Sequence, residues 1–466
     1  MFELKKYRSI IDILLYLLIV FFLFNFRVNS DFSFLISEFL FCFYLIGIVL
    51  ILRSGVLKYV YEPPVFFIFF LFIYEFLKFP YYFGYDTASH LVASTGISAT
   101  RKPMSDFYST SAYLLLFQIL CLGILFGTYF LIRKKKEVEF SPFAVSIKKE
   151  NALLYFSLFL FLFAAVRVLM LTGGNLLFLV TRRSGNSEAN DIVRDNYIVA
   201  LSSATVLIAI PILAGIKAFA GKPWRSLLFL YVPNIILGYL ITGNRGVALY
   251  SVLIFVIIVS LRRKFSIVKI SVVGFAVIMA FSILGLVRRS SSNTDNIIQN
   301  IKEQSDVEDQ WYYELTAYQL QLRDEAVYNA TPITGILTGE SYLNLVFFPF
   351  PSSVVGDLKP KFLDIIVAET FYNRDDVGLP LNAMGESYFN FGVFGCLIFI
   401  LLGALMAGIT NFLSAKGSIK FFCMSMVLCF YAQTWSTTYI VYVLQYTILL
   451  YIPVKLIKIK KLGYAK

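Results

Sequence analysis

FSFLISEFLFCFYLIGIVLILR, residues 32–53, is an apolar run of 22 residues that decides the fold. An α-helix rises about 1.5 Å per residue, so this run alone crosses the roughly 30 Å hydrocarbon layer of a bilayer. Runs of the same kind recur on both sides of it. Spans are placed near 9–27, 32–53, 64–80, 111–133, 152–172, 197–220, 226–242, 246–262, 267–287, 388–413, 418–436 and 438–455. The expectation is an all-α, polytopic membrane protein with about twelve transmembrane helices and one large extracytoplasmic loop late in the chain. That divides the sequence into a membrane region over 1–287, an outer loop over 288–387 and a membrane region over 388–466. Hydrophobic residues make up 58% of the chain and its mean hydropathy is +0.74. Soluble domains are only about half apolar, so a soluble domain is excluded.

The basic stretch Met1–Arg8 resembles the n-region of a signal peptide. The apolar run behind it lacks a small-residue cleavage site, so it reads as a retained first helix. The cysteines, Cys42, Cys121, Cys396, Cys423 and Cys429, all fall inside spans, which supports neither disulfides nor a cysteine metal site.

Basic residues sort by side of the membrane. With a cytoplasmic N-terminus, 25 of the 41 Lys+Arg lie inside, 19 of them Lys, and 16 lie outside, 11 of them Arg. Both termini come out cytoplasmic. The net charge of +12 is therefore an orientation signal and predicts no nucleic-acid partner. Lysine suffices against anionic lipid, whereas arginine binds phosphate through a fork and keeps its charge in a partly dry site. The outer face is where chemistry on an anionic ligand is expected.

Arg167 sits within the fifth span, about a turn from its outer end. A charge there is a functional candidate, with snorkelling to the interface as the alternative. Gly243-Asn244-Arg245-Gly246 is a tight turn that holds Arg245 between two helices, and its plain alternative is a hairpin with a solvated Arg. Arg288 and Arg289 emerge at the outer end of the ninth span, and Arg182, Arg183 and Arg194 lie in an outer loop with balancing acids. In the late loop, Ser305 and Glu308 have capping-box spacing. Trp311, Leu315, Tyr318 and Leu322 then mark one face of an amphipathic helix, a lid or simply a packed element. Asp375-Asp376 reads as solvated acids before it reads as a metal site, and His90, the sole histidine, lies in an outer loop. Glu386 is expected at the outer mouth of the tenth span, at a depth where partial burial raises a carboxyl pKa.

Three further stretches complete the pattern: Gly339-Glu340-Ser341-Tyr342, the Pro-rich Phe348-Pro349-Phe350-Pro351 with its following Lys359-Pro360, and Glu386-Ser387-Tyr388-Phe389-Asn390-Phe391-Gly392. With the Gly-x-Arg-Gly turn and the Arg at the head of the large loop, the chain resembles the Wzy-type O-antigen polymerases, or oligosaccharide repeat-unit polymerases, over nearly its whole length. One departure is Phe350, where the resemblance leads one to expect an Arg after the first Pro.

The resemblance implies a glycosyltransferase of the bacterial inner membrane that joins undecaprenyl-diphosphate-linked repeat units at the periplasmic face. For that chemistry Arg245 and at least one of Arg167, Arg288 and Arg289 are expected to bind the diphosphate, Arg245 and Glu386 to be catalytic, Glu386 as the base or the acceptor-positioning group, and Tyr388 and Asn390 to contact glycan. No cofactor and no essential divalent ion is expected, since arginines can stabilise the leaving diphosphate. The implied partners are the lipid-linked glycans, membrane lipid and a chain-length-regulating co-polymerase. An O-antigen ligase is the nearest rival, but such ligases carry a histidine in the late loop and this loop has none. A lipid-linked-oligosaccharide flippase or transporter would show several mid-span charges or inverted repeats. By sequence, Arg167 is the main deep charge and no repeat is visible.

Overall fold

The structure, a computed structural model, describes residues 4–26, 32–76, 104–134, 145–174, 197–242, 245–261, 328, 331, 335–347, 358, 360–372, 381–416 and 418–461. In chain order the helices are α1 (Arg8–Asn25), α2 (Phe32–Arg53), α3 (Pro63–Phe76), α4 (Met104–Ile132), α5 (Glu150–Leu171), α6 (Tyr197–Phe219), α7 (Leu228–Thr242) and α8 (Arg245–Ser260). They continue with α9 (Glu340–Phe347), α10 (Leu363–Tyr372), α11 (Ala383–Phe391), α12 (Ile398–Lys416), α13 (Ile419–Tyr431) and α14 (Thr437–Leu456). Two short strands, β1 (Val145–Lys148) and β2 (Lys458–Lys461), pair antiparallel with Val145 opposite Lys461 and Lys148 opposite Lys458.

The chain is an all-α polytopic membrane protein. Six stretches among the described residues are long and apolar enough to cross a bilayer: Arg8–Asn25, Phe32–Arg53, Ala112–Ile132, Glu150–Leu171, Ile198–Phe219 and Ala383–Leu413. The expected number of about twelve is not reached by that measure. Five further apolar helices are shorter, and the span expected over 267–287 lies outside the described residues. Phe24, Leu131 and Phe229 are more than four-fifths exposed, at 85%, 88% and 87%. Side chains of that size standing free on helix after helix fit hydrocarbon, where no hydrophobic penalty attaches to them.

The described contacts group into two compact units, each drawn from non-contiguous stretches. They cut across the sequential division expected at 287 and 387. The first unit comprises Met1–Val138, Thr316–Lys416 and Ala432–Val443. In it α2 packs on α1, α3 and α4, and α12 packs on α4. The buried positions of α2 follow helical spacing from Phe34 through Ser37, Glu38, Phe41, Leu45 and Ile48, one stripe on an otherwise apolar surface.

One end of this unit is fastened by a buried ion pair. Arg133 Nη2 lies 2.8 Å from Oε1 of Glu62, which is fully buried. Tyr129 donates to the other oxygen at 2.8 Å, and the amides of Lys58 and Tyr59 also donate to the carboxylate. Burial pushes the Glu62 carboxyl up, and the Arg133 charge and these hydrogen bonds oppose that shift.

The second unit comprises Glu139–Leu315, Gly417–Tyr431 and Leu444–Lys466, and α6 is its hub, in contact with α5, α7, α8 and α13. Gly215 makes that possible. A Cβ there would stand 2.5 Å from Ile258 Cγ2 and 2.8 Å from Cys423 Sγ, so only glycine lets α8 and α13 close on α6 together. Ala164 and Val168 of α5 pack with Val199, Leu237 and Ile241. Tyr231 donates to the Ser251 carbonyl at 2.7 Å, and Asn234 to the Ser203 carbonyl at 3.0 Å.

Candidate active site

A second buried polar group among the described residues of the first unit centres on Glu386. The tenth span was expected to begin at 388, but a helix already starts at Ala383. Asn382 caps it, its Oδ1 accepting from the Gly385 amide at 2.7 Å. Glu386 therefore lies in the first turn of α11, at the positive end of the helix dipole, and is 1% exposed.

Three donors converge on its carboxylate. Ser341 Oγ donates to Oε1 at 2.6 Å, the Thr437 amide donates to Oε2 at 2.6 Å, and Thr437 Oγ1 donates to Oε1. An ionised carboxylate offers about four lone-pair positions, so the donors among the described residues leave roughly one, on Oε2.

Asn390 holds this arrangement in place. Its Nδ2 donates to Ser341 Oγ at 2.9 Å and to the Glu386 carbonyl at 2.8 Å, and its Oδ1 accepts from the Gly339 amide at 3.1 Å. Residues 335–341 are laid along the end of α11 through bonds from Ile336 and Leu337 to the Phe389 carbonyl and from Thr338 to the Asn390 carbonyl. Two glycines permit that approach. Gly335 has φ +81° and its absent Cβ would stand 2.5 Å from the Asn390 carbonyl oxygen. Gly339 has φ +98° and 2.8 Å to the Phe391 ring. The Gly339-Glu340-Ser341-Tyr342 motif thus delivers Ser341 to Glu386.

Residues 432–438 close the other side. The Thr434 carbonyl accepts from the Ala383 amide at 3.1 Å, and Gln433 Oε1 accepts from Tyr74 at 3.0 Å. Tyr388 is half-buried, its ring 5.2 Å from Phe117 and 4.6 Å from Tyr328. Tyr44 donates to Met384 Sδ at 3.8 Å.

Sequence reasoning missed three parts of this unit. Glu38 and Glu75 are fully buried, and Gln118 donates to Glu75 at 3.3 Å. Arg167 is therefore not the one ionisable residue set within an apolar helix. It is exposed on α5 one turn before the helix ends, whereas two acids are enclosed by helices. Each was a lone ionisable residue inside an apolar run, the signal that should have flagged it. The third part, Gln433–Thr438, was legible as six consecutive non-aliphatic residues between two apolar helices.

Arg245 is the first residue of α8 and belongs, like Arg167, to the second unit. Arg288 and Arg289, the amphipathic stretch 305–322, Pro349–Pro351, Asp375, Asp376 and His90 lie outside the described residues. Among the described residues no cluster of three or more His, Cys, Asp or Glu has metal-binding proximity.

A family model described as O-antigen polysaccharide polymerase Wzy matches residues 9–462, nearly the whole chain. No curated protein and no solved structure matches it.

Proposed function

Because the chain belongs to the O-antigen polysaccharide polymerase Wzy family, we propose that it polymerises undecaprenyl-diphosphate-linked repeat units at the periplasmic face of the inner membrane. In this reaction the bond from the anomeric carbon of the growing glycan to its diphosphate oxygen breaks. The same carbon bonds to a hydroxyl oxygen of the incoming lipid-linked unit. The hydroxyl proton passes to Glu386, and the lipid diphosphate leaves against Arg245 and at least one of Arg167, Arg288 and Arg289.

The observation that carries the reading is the Glu386 carboxylate, buried and held by three donors among the described residues, which leave one acceptor position on Oε2. A carboxylate fixed in this way is oriented for one additional hydroxyl. Tyr388 offers an aromatic face for a sugar ring. Asn390, whose amide is engaged with Gly339, Ser341 and the Glu386 carbonyl, acts by positioning the base. A chain-length-regulating co-polymerase is the partner proposed for polymer length.

Deleting the gene tests the reading. Surface lipid should then carry single repeat units in place of polymer. Complete loss of surface-linked units, with lipid-linked intermediates accumulating, would mean a ligase instead. Reporter fusions should find both termini and residues 134–151 in the cytoplasm and 288–387 outside.

A further inference from the structure

The turn leading into α14 carries an anomaly that the proposed chemistry does not use. Thr434 Oγ1, Trp435 Nε1, Ser436 Oγ and Thr438 Oγ1 are all buried, and none has a hydrogen-bond partner among the described residues. Their residues are 1%, 6%, 0% and 4% exposed. Buried side-chain polar atoms in folded proteins are overwhelmingly paired, so four orphans within five consecutive residues call for an explanation. The fifth, Thr437, is the one whose hydroxyl and amide both reach Glu386.

Their chemistry narrows what would satisfy them. The indole N–H only donates, while the three hydroxyls both donate and accept, so the complement is a ligand with several groups able to do either. Sugar hydroxyls have that property, and the indole adds an aromatic surface for the C–H face of a ring. No basic residue lies within 432–438, and the Glu386 carboxylate is bonded directly to Thr437 in the same stretch. An anionic sugar or a phosphate would meet that charge unpaired.

We propose that Thr434, Trp435, Ser436 and Thr438 form the subsite for a neutral, hydroxyl-rich sugar ring of the acceptor unit, next to Glu386. The inference rests on the polymerase reading, since it takes the acceptor as the molecule that Glu386 deprotonates. Thr437 links the two, because the residue that orients the carboxylate lies between the groups that hold the ring.

Isosteric variants test it in the full-length protein in lipid nanodiscs, using the lipid-linked repeat unit purified from the producing cells as probe. Thr434→Val, Thr438→Val and Ser436→Ala remove only hydroxyls. Replacing an orphaned buried hydroxyl by an apolar group does not destabilise a protein, so Tm should hold or rise. The KM for the repeat unit should nevertheless increase about tenfold per hydroxyl, with kcat within about twofold. An unchanged KM overturns the subsite. A lowered Tm with proportionate loss of activity also overturns it, since the hydroxyls would then be satisfied in the resting fold. Wild-type protein and Glu386→Gln are run alongside. Failure of the wild type to make polymer would defeat the polymerase reading, whereas active wild type with indifferent hydroxyl variants defeats only the subsite.

Discussion

The amide of Thr437 donates to Oε2 of Glu386 at 2.6 Å, joining the first turn of α14 to the first turn of α11 across 51 residues of sequence. A backbone amide can only donate, so this bond fixes which carboxylate oxygen faces which way. The two hydroxyls on the other oxygen, from Ser341 and Thr437, can each reverse and accept.

That asymmetry makes Glu386→Gln a clean test of charge. The glutamine carbonyl takes the Thr437 amide, and its NH2 donates to the reversed hydroxyls, so the fold survives. Protein level and Tm should match wild type while polymer disappears from glycan gels and single units remain. Polymer of normal length from this variant would remove Glu386 as the base.

Gly335→Ala should act on the same carboxylate from a distance. The new Cβ meets the Asn390 carbonyl oxygen at 2.5 Å, and alanine at φ +81° is strained by about 2 kcal/mol. Residues 335–341 must then lift off α11, drawing Ser341 away from Glu386. The expected outcome is a lower Tm together with at least about tenfold less polymer. Wild-type polymer and Tm would show that the segment relaxes without moving Ser341.

How legible this was differs by element. The bounds of α2 follow from the sequence to the residue, because an apolar run long enough to span a bilayer has one economical fold. The start of α11 was missed. Gly385 falls in its first turn, and the Asn382 cap is visible only once the helix is known. Glu386 could be singled out as a carboxylate at a span's mouth. Its donors could not, since Ser341 and Thr437 are 45 and 51 residues away and no periodicity encodes a tertiary hydrogen bond. Asn390 was likewise expected to touch glycan, and its engagement with Ser341 is a three-dimensional fact.

Arg133→Leu addresses stability apart from the site. It strands the fully buried Glu62 carboxylate, leaving it the hydrogen bonds from Tyr129 and two amides but no opposing charge. Removing one partner of a buried pair costs about 3 kcal/mol, more than the pair itself contributes. Thermal unfolding in detergent should show a marked drop in Tm. The double variant with Glu62→Gln should recover much of it, because the unpaired charge is gone. Equal losses in the single and double variants would mean that the pair is spared by solvent.

Arg245→Lys separates charge from geometry at the proposed diphosphate site. Arg245 begins α8, and α7 ends at Thr242, so the residue stands at the start of a helix three positions after the preceding one ends. A diphosphate presents paired oxygens that a guanidinium engages with two parallel N–H bonds, whereas an ammonium offers a point charge on a mobile stem. The charge would still attract the headgroup, so insertion and protein level should be unchanged. Losing the fork should cut polymerisation at least about tenfold, as expected when a charge-assisted hydrogen bond to the leaving group is lost. The loss should appear mainly in kcat, because charge builds on the diphosphate as the glycosidic bond breaks. Full polymer from well-expressed Arg245→Ala would place the diphosphate on other cations and leave this turn a plain connection between helices.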